Sequence, residues 1–266
     1  MPDALAFKSM TTRPRSTIEI FRVPLSKDQL RSVPVDDRNL LLLASHAVNQ
    51  LSVLRKILVF STNHDSKSEL ENTLSAAQSL MVSRFLFGTL AETWEMIKRP
   101  VNQRLIGKDY AREIEPDGVV AYEKLKKHFG ETNLLHLIRN QVAYHYPENA
   151  ELAAAFEEVP DDEDWAWYPS DTTDNSYYLA SDFVISTHIL KLTGEPDMES
   201  AAKKVLGLAV PVSNDLIDFL LYVMRAIVTR HLDVKLLAPQ RGEGVTFENV
   251  PNFFEVTIPF FTFRDK

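Results

Sequence analysis

The run DDRNLLLLASHAVNQLSVLRKILVFST, residues 36–62, decides the fold class. Leu40, Leu43, Ala47, Leu51, Leu54 and Leu58 recur at three- and four-residue intervals, which places them on one face of an α-helix. Asp36 and Asp37 open the run, where carboxylates meet the positive end of the helix dipole. The spacing therefore predicts a long first helix that ends near Thr62. A polar turn, NHDSKSELEN (63–72), separates it from a second helix running from about Lys67 to about Lys98. Ser66 or Ser68 caps that helix, and Pro100 helps to end it. Its apolar stripe is Leu70, Leu74, Ala77, Leu80, Met81, Phe85, Leu90 and Trp94, and Gly88 leaves room for another helix to approach.

Working outward, residues 99–117 form a polar, partly basic connector. GVVAYEKLKKHFG (118–130) is a third, shorter helix with Gly130 near its end. ETNLLHLIRNQVAYHY (131–146) is a fourth, capped by Thr132 or Asn133. Helices are also expected at 179–192, 198–210 and 213–232. Toward the termini, TIEIFRV (17–23) alternates like a strand, and FFEVTIPFFTF (253–263) is β-branched and aromatic, hence a strand or an extended packing segment. The fold class is mainly α, a helical bundle with short β segments near the two ends.

Composition restricts the function. Hydrophobic residues make up 45% and charged residues 25%, as in a soluble globular protein. No run of about 18 apolar residues occurs, so no membrane span is expected. The first twenty residues lack an apolar h-region, so a cytoplasmic protein is expected. The chain has no cysteine, which removes disulfides, thiolate metal sites and cysteine nucleophiles. A net charge of −8 argues against a bulk polyanion binder, but the charge is uneven. Residues 98–145 hold nine Lys/Arg against six Asp/Glu, whereas 147–182 hold eleven Asp/Glu and no Lys or Arg.

The fourth helix carries the candidate chemistry. Leu134, Leu135, Leu137 and Ile138 are ordinary core residues, but Arg139, Asn140, Tyr144 and His145 follow within a few positions. On an ideal helix, Arg139 and His145 stand about 240° and about 9 Å apart. They meet if the helix loosens before Pro147, or across a dimer. Arginine forks onto phosphate and stays charged. Histidine moves protons near neutrality. That pair suits cleavage of RNA by its own 2′-hydroxyl, with no metal. An arginine and a histidine on the wet side of a structural helix give the same spacing.

The segment LIRNQVAYHY resembles the signature of the HEPN superfamily, an arginine followed after four to six residues by a histidine on a helical bundle. The polar residue after the arginine and the aromatic before the histidine are similar too, as Asn140 and Tyr144. The resemblance covers about residues 39–156. It implies a four-helix HEPN-like bundle at 37–156, preceded by an irregular or strand segment at 1–36 and followed by a C-terminal helical extension at 157–266. It also implies a homodimeric, metal-independent endoribonuclease that acts on single-stranded RNA, with no cofactor and 2′,3′-cyclic phosphate products. Arg139 and His145 would be catalytic, with Asn140, Tyr144 and an acidic residue of an earlier helix, Glu92, as auxiliaries. Members of the superfamily act in phage defence or as toxins with an antitoxin. Pro147 stands where one toxin group has a modified tyrosine, a departure that puts an antitoxin of that modifying type in doubt.

Lys98, Arg99, Arg104 and Lys108 offer RNA-backbone contacts, or are a solvated loop. The remaining histidines show no metal-ligand spacing, so no metal is expected. WAWYP (165–169) can stack on bases, or pack on the bundle. Two rival readings stay open. One is a non-catalytic HEPN-like dimeric module that binds a protein partner through its acidic, aromatic C-terminal half. The other is a metal-dependent helical-bundle enzyme.

Overall fold

A computed structural model describes residues 16–62, 68–130, 148–161, 165–170, 175–232, 244–260 and 262. The chain is mainly helical among them, as expected. A short helix α1 (Lys27–Ser32) opens inside the stretch expected to be irregular. Ser26 and Gln29 explain it: each side chain bonds the other's backbone N–H, at 3.1 and 2.7 Å.

Helix α2 (Val35–Thr62) and helix α3 (Glu69–Lys98) follow as the periodicity predicts. Ser68 caps α3 by accepting from the Glu71 N–H. The buried face of α2 is Leu40, Leu41, Ala44, Ala47, Leu51 and Leu58, so the stripe runs through Ala44 and leaves Leu43 exposed. On α3, Met81 and Phe85 likewise turn outward, while Leu74, Ala77, Leu80, Leu86, Phe87 and Leu90 are buried. A seam of hydroxyls lines the inner side of α3. Ser79 and Thr93 are buried and donate to carbonyls one turn back, at 2.7 Å each. Ser79 also meets Ser61 of α2 at 3.2 Å, a polar contact between two helices whose small side chains permit close approach.

The connector after α3 is more regular than its polarity suggested. Pro100 opens α4 (Pro100–Arg104), and a π-helical turn (Leu105–Asp109) follows and seats Tyr110 in the core with no exposed surface. Helix α5 (Pro116–Gly130) is the expected third helix. Beyond residue 148 come α6 (Asn149–Glu158), a two-stranded ribbon of β2 (Trp167–Tyr168) and β3 (Tyr177–Tyr178), α7 (Leu179–Thr193) and α8 (Met198–Leu232). Gly194 ends α7 at φ 68°, a left-handed turn that a side chain would strain.

The helices expected at 198–210 and 213–232 are one helix that contains Pro211. Proline removes the bond to the carbonyl of Gly207, but both residues face solvent, so water can take the freed acceptor. The strand near the end is β4 (Gly244–Val250), while the described part of 253–263 forms no strand but packs on α2: the Ile258 N–H donates to the Phe60 carbonyl at 3.0 Å, and the Phe253 and Phe60 rings lie 5.5 Å apart. Strand β4 pairs antiparallel with β1 (Ser16–Phe21), joining the two ends of the chain, and the register slips between Ser16 and Ile18.

Helix α8 closes the bundle. Leu216, Phe219, Leu220, Val223 and Ile227 are fully buried, and α8 packs on α2, α3 and α5. Helices before and after residue 157 contribute buried residues to the same core. Close packing of α5 on α8 centres on Gly118, where an added Cβ would lie 2.8 Å from Ile114 and from Tyr222. By length and composition Glu199–Leu232 could also cross a membrane, although 44% of its most apolar window is buried within this bundle.

Candidate functional site

The segment bearing Arg139, Asn140, Tyr144 and His145 lies outside the described residues, as do Thr132 and Asn133. The structure shows what it joins. On its N-terminal side is α5, held by two aromatic stacks. Phe129 lies on Trp94 of α3, with centroids 4.9 Å apart, and Tyr122 lies on Phe219 of α8, at 4.8 Å. On its C-terminal side is α6, which packs on α7. Glu92 is exposed on α3, two residues from Trp94 and hence about 200° around the helix from the side that holds Phe129.

The four basic candidates cluster at the junction of α3, α4 and the π turn. Lys98 is paired with Glu95 at 2.8 Å. Arg104 bridges to Asp36 at 3.1 Å and Asp109 at 3.6 Å. Arg99 and Lys108 are exposed and form no ion pair among the described residues. Beside them is an open hollow of about 400 Å³, with Leu42, Leu43 and Val101 on its walls and Asp36, Asn39 and Arg99 supplying polar groups. A phosphate entering this hollow could meet the Arg99 guanidinium, but also the Asp36 carboxylate.

A second polar group was not visible in the sequence. At the same end of the bundle, the C-terminus of α8 meets the N-terminus of α2. His231 Nε2 lies 2.8 Å from Asp37 Oδ2 and 2.9 Å from the Tyr110 hydroxyl. One ring nitrogen thus faces a carboxylate and a phenol. Burial and the Asp37 carboxylate push the Tyr110 phenol far above its usual range, so it stays protonated. The neighbouring Arg230 places its guanidinium 4.0 Å over the Tyr110 ring and bonds both Glu113 and the Asp109 carbonyl. Glu113 is in turn held below the usual carboxylate range, first by its hydrogen bond from Arg230.

Within this group Tyr110 is fully buried and Asp37 nearly so. The group ties three chain segments together at the end of the bundle where Asp36 lines the hollow. The only hint in the sequence is complementary: α2 opens with two aspartates and α8 ends with Arg230 and His231, each suited to its end of a helix dipole. No group of three or more metal-ligating side chains occurs among the described residues. No family model matches the chain, and no curated protein or solved structure matches it.

Proposed function

We propose that the protein is a HEPN-type, metal-independent endoribonuclease that works as a homodimer in the cytoplasm, as a phage-defence or toxin effector. One observation carries this reading: Arg139, Asn140 and His145 stand at the superfamily's spacing, in the segment that follows a helix docked in a mainly helical bundle. Two features support it. Trp94 and Phe219 anchor α5 at two points, so the chain enters the motif segment from a rigid base. The block 98–145 is locally basic in an otherwise acidic chain.

In the proposed reaction the 2′-oxygen of the RNA attacks the adjacent phosphorus as the bond to the 5′-oxygen breaks. His145 handles the proton, and Arg139 forks onto the non-bridging oxygens as their charge grows. The products are a 2′,3′-cyclic phosphate and a 5′-hydroxyl. Asn140 and Tyr144 hold the phosphate or the imidazole in place. Single-stranded RNA incubated with the protein in EDTA should yield these ends, from a species that sediments as a dimer. Cleavage that appears only with a divalent cation contradicts the proposal.

A further inference from the structure

The ribbon of β2 and β3 has two unlike faces. Trp167 pairs with Tyr178 across the strands, and Tyr168 pairs with Tyr177. Side chains alternate along a strand, so each pair shares a face. Tyr168 and Tyr177 turn inward and pack against the bundle core, and the Tyr177 hydroxyl donates to Asp182. Trp167 and Tyr178 turn outward, 66% and 50% exposed, and meet edge to face at 5.3 Å. Two large rings kept in solvent on the ribbon form an unpartnered sheet face. Phe156, 51% exposed, stacks obliquely on Trp165 two residues upstream, at 5.2 Å.

The charge in this region specifies what covers that face. Residues 147–182 hold eleven carboxylates and no Lys, Arg or His. Of the described ones, Glu157 and Asp161 are exposed, and Glu158 is engaged by Lys191 of α7. RNA and anionic lipid would be repelled at close range, where salt screens least. A cation is attracted, and of the two basic side chains arginine is the one whose planar head lies flat on an aromatic ring. We propose that Trp167 and Tyr178, with the exposed carboxylates Glu157 (beside Phe156, whose ring meets Trp165) and Asp161, dock an arginine-rich segment of a partner protein. Aromatic residues and arginine are the side chains that concentrate most binding energy at interfaces.

Fluorescein-labelled nona-arginine, titrated with the full chain and followed by anisotropy, tests this. Wild type should bind it more tightly than nona-lysine and release it at high salt. The double variant Trp167→Ala/Tyr178→Ala should lose on the order of tenfold in affinity for nona-arginine, and less for nona-lysine, with its melting temperature unchanged. Glu157→Gln/Asp161→Asn should weaken both peptides. Equal nona-arginine affinity in wild type and the double aromatic variant overturns the proposal, as does failure of wild type to bind. A labelled oligouridylate that binds wild type and is lost in the double variant would assign the face to RNA instead. Conversion of a wild-type dimer to a monomer by the double variant would assign it to a second copy. Either result also overturns it.

Discussion

His231 Nε2 and Asp37 Oδ2 lie 2.8 Å apart, although 194 positions separate them in sequence. That contact ties the last turn of α8 to the first turn of α2 and brings Tyr110 into the same group. Asp37 is almost entirely buried, so its carboxylate depends on this partner. His231→Ala should cost roughly 1–3 kcal/mol in urea denaturation, because it removes one partner of a buried carboxylate whose other partner is the Tyr110 hydroxyl. Tyr110→Phe removes one hydroxyl and keeps the packing, and should cost about 1 kcal/mol. A His231→Ala midpoint equal to wild type would show that the contact contributes nothing to stability.

The pair Arg230 and Glu113 gives a pH signature. Arg230 lowers the folded pKa of Glu113 below its unfolded value. Its stabilisation is therefore present above the unfolded pKa and is lost as pH falls through the folded one. The melting temperature of Glu113→Gln should fall below wild type near pH 6.5 and rejoin it below about pH 3. A gap that persists in acid would point to a packing effect.

Asp182 should behave in the opposite way. Burial raises its folded pKa, although the Tyr177 hydroxyl and Arg84 pull the other way. With the folded value above the unfolded one, stability is greatest below the unfolded pKa and declines as pH rises through the folded pKa. Asp182→Asn keeps an acceptor for Tyr177 and removes the buried charge. Thermal melts near pH 7 should show it at least as stable as wild type, with any advantage shrinking toward about pH 4. A large loss of stability at neutral pH would mean that the charge itself is needed.

Gly118 tests how α5 docks. A methyl group there would press on Tyr222 and Ile114, at 2.8 Å each. Gly118→Ala should destabilise by roughly 1–3 kcal/mol, despite alanine's higher helix propensity. A variant as stable as wild type would require α5 and α8 to sit farther apart.

Local signals carried most of the fold. The leucine spacing of α2, the serine cap of α3 and Gly130 at the end of α5 are all short-range features, and each matches the observed element. The errors arose where tertiary contacts override such signals. Pro211 looked like a break, but its freed carbonyl faces water and α8 is buried along its other side. Leu43, Met81 and Phe85 suited the core by type, yet the core is filled by neighbours one position away. Asp37, Tyr110 and His231 left no spacing signal, because three distant segments assemble them. Arg139 and His145 were legible as a motif, while the geometry that would bring them together depends on residues outside those described.

The central claim turns on one side chain. Single-stranded RNA should be incubated in EDTA with wild type and with His145→Ala, matched in melting temperature, and the fragment ends identified. Wild type should release 2′,3′-cyclic phosphate ends, and His145→Ala should release none above background. Equal cleavage by the two proteins, or no cleavage by wild type, would contradict the assignment of Arg139 and His145 as the catalytic pair.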